Sequence, residues 1–361
     1  MSLHTESPGP PRSSDGRRQP ILVTGMARSA TSWVGKMLEW SGQVAYINEP
    51  LSPDRAPGRS WGMLPAPVRY RYQYISADNE HEYLGAYLDT IAFRYRLGPE
   101  LRVCRSVTDL LRTGKHWSVF TSGRLLRRRP LLDDPFAVLS ASWFARRLGC
   151  RVIVLIRDPL AIVASRKRLG WTFDFRHLLR QEDLLRDWLE PFRGAMEEMI
   201  DRPGDLIGQS GLLWRVIYHA VAEQRDRLGG LEIIRHEDLS MDPESGFRSL
   251  FSQLGLNYSE SARRAVVHSS TGGKGGQAHS WSLSGGIPAR TGYRRLDSRA
   301  NLSGWREVLT EAETERVRKV TSDVAARFYE PNARAADAAP RPRERQGGPS
   351  VVPGGPGRSD Q

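Results

Sequence analysis

The apolar positions of the chain follow two patterns. Short continuous apolar runs, several of them rich in β-branched residues, are typical of strands buried on both faces of a parallel sheet. Longer stretches with apolar residues three or four positions apart are typical of helices packed on such a sheet. The runs predict strands at 20–24, 43–47, 101–107, 151–156 and 231–235. The periodic stretches predict helices at 32–41, 80–96, 136–148, 159–169, 181–200, 211–228, 243–254, 259–268 and 310–328.

Alternation of strands and helices predicts an α/β fold, a single domain with a central parallel β-sheet flanked by helices. Residues 1–18 and 332–361 are rich in Gly, Pro, Arg and Ser and have few apolar side chains. They are expected to be disordered tails around a domain at 19–331. Segment 271–286 has six glycines among its 16 residues and is predicted to be a mobile lid, with a plain flexible loop as the alternative.

Composition narrows the class of protein. The formal net charge of +12 suits a polyanionic ligand, a nucleic acid or an anionic membrane. Basic clusters such as 127–129 and 166–168 are short, and no nucleic-acid-binding signature accompanies them, so nucleic acid is not expected as the main partner. Cys104 and Cys150 cannot build a disulfide framework and lack metal-ligand spacing, which indicates a reducing compartment. The chain shows no signal-peptide pattern and no apolar run near the roughly twenty residues of a membrane span, so a cytoplasmic location is expected.

The stretch at 21–38, ILVTGMARSATSWVGKML, predicts a strand, a phosphate-sized loop and a helix. The first amides of such a helix have no partner and readily bind an anion. On the P-loop template Gly25 takes the first glycine, but Ala30 stands at the second glycine and Thr31 at the lysine. The only positive charge in the loop is Arg28. The loop therefore suits one phosphate beside a reacting group better than a triphosphate with magnesium. The alternative is an ordinary strand, turn and helix that match the template by chance.

A second strand-to-helix junction lies at 151–169. Asp158 and Pro159 are suited to begin a helix, and Arg157 stands at the tip of the strand, where metal-dependent NTPases often carry an aspartate. Ser165 follows eight residues later. Because ligands of open α/β sheets bind at the carboxyl ends of the strands, Arg157 and Ser165 predict a second anion site at that edge. The alternative is a surface arginine paired with Asp158.

Two anion sites without a Walker lysine resemble the sulfotransferases that use 3′-phosphoadenosine 5′-phosphosulfate (PAPS), particularly the bacterial ones. The resemblance runs from about Gln19 to Tyr329, with the motifs in the expected order. It implies that Arg157 and Ser165 bind the 3′-phosphate, and that a basic loop at 297–309 closes over the cofactor through Arg299 and Trp305. It also implies that the first loop holds the 5′-phosphosulfate, through Arg28, Ser29, Ala30, Thr31, Ser32 and Trp33, although Ala30 replaces a usual glycine.

The resemblance further implies transfer of a sulfuryl group to a hydroxyl or amine, with no metal. The sequence does not identify the acceptor, and a carbohydrate, a lipid-linked sugar and a small molecule all stay open. Glu49, in AYINEP, matches the position of a glutamate base in several branches; the alternative is a solvent-exposed glutamate. The predicted strand LRVCRSV offers no histidine, so the version with a histidine base is rejected. Arg28, the loop amides, Thr31 and Ser32 are expected to stabilise the leaving phosphate.

Some features depart from the family or stay open. Asp133 stands where many relatives have a lysine, so either Arg105 or an arginine from 127–129 supplies that charge, or activity is weaker. Segment 59–75 interleaves aromatic and basic residues and is either an acceptor pocket or a packed surface element. Two rival functions remain: a P-loop kinase or other NTPase, and a non-catalytic protein that binds 3′-phosphoadenosine 5′-phosphate (PAP) on the same scaffold.

Overall fold

The computed structural model describes residues 19–54, 62–271 and 298–329. Its five strands are β1 (Ile21–Gly25), β2 (Val44–Asn48), β3 (Arg129–Asp133), β4 (Arg151–Ile156) and β5 (Leu231–Arg235). The described helices are α1 (Thr31–Glu39), α2 (Leu84–Ile91), α3 (Leu97–Val103), α4 (Val107–Leu125), α5 (Ala141–Arg147), α6 (Pro159–Leu169), α7 (Arg176–Leu179), α8 (Glu182–Leu184), α9 (Arg193–Ile200), α10 (Leu206–Leu228), α11 (His236–Met241), α12 (Pro243–Gln253), α13 (Glu260–Ser270), α14 (Ala300–Ser303) and α15 (Glu311–Tyr329). Short 3₁₀ turns lie at Glu80–Glu82, Pro135–Ser140 and Glu190–Phe192, and a π-helical turn at Leu185–Leu189.

All five strands are parallel and form one sheet in the order β2-β3-β1-β4-β5. In this register Ile21 of β1 lies opposite both Leu131 of β3 and Arg151 of β4. The carboxyl ends of β1 and β4 therefore lie side by side at one edge, as predicted for the two junctions. The predicted α/β fold with a central parallel sheet is confirmed; the tails at 1–18 and 332–361 fall outside the described residues.

The two faces of the sheet are covered by different helices, and successive residues of β1 alternate between them. Ile21 and Val23 pack with Trp33 of α1 and Phe247 of α12. Leu22 belongs to the larger cluster on the other face, which includes the buried aromatic side chains of α10. Burial of one large apolar side chain stabilises the folded state by about 1.5–3 kcal/mol. The helices packed on both faces therefore hold the sheet, and with it the carboxyl ends of its strands, in place.

The predicted strand at 101–107 is wrong. These residues end α3 and begin α4, and the side chains of Leu101, Val103 and Val107 are exposed rather than buried in a sheet. Helix α4 begins with a capping box, in which the Ser106 side chain accepts from the Asp109 amide and the Asp109 carboxylate accepts from the Ser106 amide. That Ser-x-x-Asp spacing is a helix-start signal that outweighs the apolar run.

The strand that sequence analysis missed is β3. Its second residue, Pro130, argues against a strand interior because proline cannot donate to the ladder. In the structure Pro130 pairs with Ala45 of β2, and pairing with β1 begins only at Leu131. The predicted helix at 181–200 is also broken, into short pieces around Pro191.

Candidate functional site

The loop between β1 and α1 has an unusual backbone. Gly25 has φ 149°, and a Cβ there would lie 2.4 Å from the Leu155 carbonyl oxygen, so only glycine fits. Arg28 and Ala30 both adopt left-handed conformations, with φ 84° and 74°. A non-glycine residue in this region costs about 1–2 kcal/mol. Ala30 therefore lowers the stability of the protein relative to a glycine at this position.

Two buried tyrosines that sequence analysis did not identify hold this loop in place. The Tyr218 hydroxyl accepts from the Met26 amide at 3.3 Å and donates to the Leu155 carbonyl at 2.8 Å. The Tyr72 hydroxyl accepts from the Ala27 amide at 3.2 Å. Both side chains come from distant parts of the chain, so no local sequence signal reveals them. They fix the first part of the loop and leave its second part for a ligand.

The second part of the loop carries open hydrogen-bond donors. The amides of Ala30, Thr31 and Ser32 donate to none of the described residues, and α1 has no side-chain cap and no acidic residue in its first turn. The unpartnered amides and the helix dipole together favour an anion at this position. Trp33 is placed differently: its indole is buried and donates to the Ser269 hydroxyl at 2.9 Å, which ties α1 to α13.

The two sequence-predicted anion sites are in direct contact. Arg28 Nε donates to the Ser165 hydroxyl at 3.0 Å, and Arg157 Nη1 donates to the Arg28 carbonyl at 3.1 Å. Residues 28, 157 and 165 therefore form one continuous basic corner, in which each guanidinium is held by the other junction. This corner lies at the carboxyl ends of β1 and β4, the edge of the sheet where sequence analysis predicted both anion sites.

Arg157 is not a surface residue. It is only 8% exposed, and its Nε has no partner among the described residues. Burial lowers the pKa of Arg157, and the nearby Glu237 carboxylate opposes that shift. The Asp158 carboxylate is used to cap α6, where it accepts from the amides of Leu160 and Ala161. The alternative of a surface arginine paired with Asp158 is therefore wrong.

Glu237 supports this corner, and sequence analysis did not identify it. Its carboxylate accepts from the Asp158 amide at 2.9 Å and from the Tyr329 hydroxyl at 3.2 Å. Burial alone would raise the pKa of Glu237, but contacts with the neighbouring His236 and with the Asp158 amide lower it. Glu237 is thus an anion at neutral pH and balances part of the charge of Arg157.

Glu49 lies just past the end of β2, on the same edge of the sheet. It has φ 49°, its amide donates to the Asp133 carbonyl at 2.8 Å, and its side chain is half-buried. Burial is the largest cause of the raised pKa values of Asp134 and Tyr72, and the negative charge of Glu49 raises both pKa values further. Because Tyr72 also contacts the first loop, Glu49 lies within the neighbourhood of that loop.

Asp133 and Asp134 are both buried, and burial is the largest cause of their raised pKa values. The Asp134 carboxylate accepts from the amides of Leu51 and Phe136. The Asp133 carboxylate accepts from the Tyr46 hydroxyl, and Thr31 and Ser32 lie close enough to lower its pKa. Both carboxylates therefore hold the protein together at this edge.

The arginines at 127–129 do not replace the lysine that Asp133 displaces. Arg129 is the first residue of β3 and bonds to the Gln19 and Leu254 carbonyls at the amino edge, opposite the loop. Arg127 and Arg128 adjoin it. The cation that does act on Asp133 is Lys36 of α1, whose Nζ lies 3.6 Å from the Tyr46 ring centroid. Lys36 follows Ser32 by one helical turn, a spacing visible in the sequence.

The sulfotransferase domain family matches residues 18–329 of the chain. The chain belongs to the sulfotransferase family. Membership indicates a sulfotransfer activity and makes the protein a transferase. A comparison with curated proteins gave no match.

Three solved sulfotransferases match most of the chain at low identity. The sulfotransferase domain of the curacin biosynthetic pathway is 12% identical, with 83% of this chain and 96% of that one covered and a TM-score of 0.42. The sulfotransferase domain of the Synechococcus PCC 7002 olefin synthase is 15% identical, with coverage of 83% and 94% and a TM-score of 0.38. Sulfotransferase STF9 from Mycobacterium avium is 14% identical, with coverage of 86% and 77% and a TM-score of 0.39.

The late basic segment of this sulfotransferase lies against α6, the helix that carries Ser165. Trp305 packs on the apolar cluster of α6, and Arg168 donates to the Gly304 carbonyl at 2.6 Å. Arg299 is exposed, and its Nε donates to the Met241 carbonyl at 2.8 Å. The structure thus brings the segment beside the second junction and places the Arg299 side chain on α11. The predicted lid at 271–286 lies outside the described residues, apart from Thr271.

Two tyrosines in the described part of segment 59–75 pack into the sulfotransferase core. Tyr72 holds the first loop, and Tyr74 is buried with its hydroxyl donating to Asp187 at 2.9 Å. For these two tyrosines, packing is the correct interpretation. Among the described residues, no group of three or more His, Cys, Asp or Glu side chains is placed to hold a metal ion. No helix within 19–54, 62–271 and 298–329 is long and apolar enough to cross a membrane.

Proposed function

We propose that this sulfotransferase moves the sulfuryl group of PAPS to a hydroxyl or amine of a carbohydrate, lipid-linked or small-molecule acceptor in the cytoplasm. The observation that carries the proposal is the contact between the two junctions, through Arg28, Ser165 and Arg157. One ligand with phosphates at both ends of a nucleoside would contact both junctions. PAPS has that chemistry, and its sulfuryl group is the part transferred.

Each junction would bind one end of the donor. The open amides of Ala30, Thr31 and Ser32, with Arg28, suit the 5′-phosphosulfate, because charge-assisted bonds to phosphate oxygens are strong. Ser29 shapes the loop, since its hydroxyl donates to the Met26 carbonyl at 2.6 Å.

At the second junction, the Arg157 guanidinium and the Ser165 hydroxyl suit the 3′-phosphate. The unpartnered Nε of Arg157 is a donor available for it. Arg299 would add a cation from the late segment once its bond to Met241 opens.

For the chemical step, we assign the proton transfer to Glu49. The acceptor oxygen attacks sulfur, the bond between sulfur and the bridging phosphate oxygen breaks, and the acceptor proton passes to the Glu49 carboxylate. PAP leaves with the bond electrons on its 5′-phosphate. Arg28, the loop amides and the hydroxyls of Thr31 and Ser32 would stabilise that growing charge, where preorganised donors have the largest effect.

The rival NTPase function lacks two groups it needs. Thr31 stands where the phosphate-binding lysine belongs, and Arg157 stands at the strand tip where a carboxylate would bind magnesium. Both features weaken binding of a magnesium triphosphate, and Arg157 in place of the carboxylate suits a metal-free 3′-phosphate.

Calorimetry and product analysis test the proposal. PAP should bind without metal, Mg-ATP should bind far more weakly, and adenosine 5′-phosphosulfate, which lacks the 3′-phosphate, should bind less well than PAPS. Mass spectrometry after incubation with labelled PAPS and a metabolite extract should then show a sulfated product. PAP binding with no transfer to any acceptor class would support the non-catalytic alternative, and preference for Mg-ATP would contradict the proposal.

A further inference from the structure

Helix α4 presents apolar side chains on two separate faces. Its inner face packs into the protein through Thr113, Phe120 and Gly123. Its outer side carries a second apolar row, exposed among the described residues, which we name the outer stripe: Val107, Leu110, Leu111, Trp117 and Leu125. Leu111 is 60% exposed, Trp117 45% and Leu125 76%. At 3.6 residues per turn the five side chains fall within an arc of about 120° around the helix axis, so they share one helix face.

The outer stripe is large and continues onto neighbouring elements. Helix α4 has 19 residues, so the stripe runs for about 28 Å at 1.5 Å per residue. Leu101 and Val103 of α3 and Leu126 just after α4 are exposed as well. Single exposed leucines are common, but several exposed apolar side chains grouped on one helix face and on its neighbours mark an interaction surface.

The surroundings of the outer stripe are strongly basic. Residues 97–128 contain seven Lys or Arg and only two Asp or Glu, and one of the two acids, Glu100, is buried. Arg102, Arg105, Arg124 and Arg127 are exposed and form no ion pair with the described residues. The surface therefore attracts an anionic partner and repels a second copy of itself.

An open cavity adjoins the outer stripe. It has a volume of about 520 Å³ and is lined by Phe93, Tyr95, Trp117 and Phe120, with Arg94 and Arg124 among the remaining residues. An aromatic cavity with arginines suits an amphiphile that has an apolar chain and an anionic head group. Tryptophan beside arginine, at the boundary between apolar and charged surface, is also typical of helices that lie in a membrane interface.

We propose that the outer face of α3 and α4 docks the protein onto a membrane surface that contains anionic phospholipid. Leu110, Leu111, Trp117 and Leu125 enter the head-group region, and Arg124 and Arg127 contact lipid phosphates while their aliphatic stems cover apolar surface. The helix lies on the membrane and does not cross it. This docking is independent of the sulfuryl donor and of Glu49, so it stands or falls separately from the proposed function.

Vesicle sedimentation with the full chain tests the proposal. The protein should pellet with vesicles of phosphatidylcholine mixed with phosphatidylglycerol, not with phosphatidylcholine alone, and binding should weaken as salt is added. Arg124→Gln and Arg127→Gln should each weaken binding about fivefold, and Leu111→Ser or Leu125→Ser about tenfold. Quenching of tryptophan emission by brominated lipid should decrease in Trp117→Phe.

Matched variants on other surfaces separate docking from general charge and hydrophobicity. Arg318→Gln and Lys319→Gln change the net charge equally on α15, and Leu228→Ser removes an exposed leucine at the end of α10; none should alter binding. Sulfuryl transfer to a water-soluble acceptor, or PAP binding, should be unchanged in the α4 variants, which also shows that they fold.

The following results would overturn the proposal. They are no binding to anionic vesicles by the unmodified chain, equal binding to both kinds of vesicle, an equal loss in the α15 controls, and a dimer in analytical ultracentrifugation that Leu111→Ser dissociates. Selective binding to an acidic amphipathic peptide in place of vesicles would assign the face to a protein partner and would also contradict docking on lipid.

Discussion

The two strand-to-helix junctions of this sulfotransferase offer hydrogen-bond donors by different physical means. At the first, β1 to α1, the loop backbone is strained at Arg28 and Ala30, and the open donors are main-chain amides. At the second, β4 to α6, the helix is capped by Asp158 and the donor is a buried side chain, Arg157. Backbone amides fit one fixed anion position closely, whereas a buried guanidinium adds charge without rearranging the backbone. The first junction is thus suited to the changing charge of a reaction, and the second to a constant charge that only binds.

The largest expected effect tests whether chemistry belongs to the first junction and its neighbour Glu49. Glu49→Gln keeps the shape of the side chain and removes the proposed base, so turnover should fall about 10²–10⁴-fold with PAP affinity nearly unchanged. Arg28→Ala should lower both turnover and PAP affinity, because we propose that Arg28 faces the phosphosulfate, where charge grows. Steady-state kinetics and calorimetry on the same preparations measure the contrast. Glu244→Gln, a distant glutamate on α12, serves as control; near-normal turnover in Glu49→Gln would place the base elsewhere.

The next effect concerns the second junction alone. Arg157→Ala should weaken PAP binding by about 1.5–3 kcal/mol, the range for a hydrogen bond to a charged group. Discrimination against adenosine 5′-phosphosulfate should be lost at the same time. Arg151→Ala is a matched control, because Arg151 lies at the opposite end of β4 and its side chain is exposed. Unchanged PAP affinity in Arg157→Ala, measured by calorimetry, would refute a role in binding the 3′-phosphate.

A smaller effect is expected at the hydroxyl that joins the junctions. Ser165→Ala removes the acceptor of the Arg28 Nε–H bond and a proposed neutral partner of the 3′-phosphate, and should weaken PAP binding by about 0.5–1.5 kcal/mol. The double variant Arg28→Ala/Ser165→Ala tests their coupling. If the loss in the double variant equals the sum of the single losses, the contact between the junctions has no energetic role.

The smallest effect tests the strain at the first junction. Ala30→Gly relieves the left-handed conformation at φ 74° and should raise the free energy of unfolding by about 1 kcal/mol. Ala27→Gly, in the same loop but without positive φ, should lower it by about 0.5–1 kcal/mol. Urea denaturation of both variants checks the opposite signs. Destabilisation by Ala30→Gly would mean that Ala30 is not strained.

Sequence analysis predicted the carboxyl edge well because its signals are local. Helix α6 was predicted at its observed bounds, since Asp158 and Pro159 begin it and Gly170 ends it. Strands β1, β4 and β5 were found within one residue from their apolar runs. The positions of the two junctions followed from the residue types at the ends of those strands, and anion binding there stays a prediction. Predictions for the middle of the chain were wrong where local signals conflict. Pro130 argues against a strand although it lies in β3, and the apolar residues at 101–107 belong to exposed helices rather than to a strand.

The sequence by itself determined the parallel α/β fold and the residues offered by each junction, because periodicity, caps and turn chemistry act over a few neighbouring positions. Only the tertiary structure decided how those residues meet. It placed β1 beside β4, so that Arg28 reaches Ser165 across 137 positions of sequence, and it brought Tyr72, Tyr218 and Glu237 to the same edge. It also decided that Asp134 caps a turn and that the apolar side chains of α4 face outward. Such contacts depend on how distant segments pack against one another. The free energy of that packing arises between segments and cannot be read from any one of them.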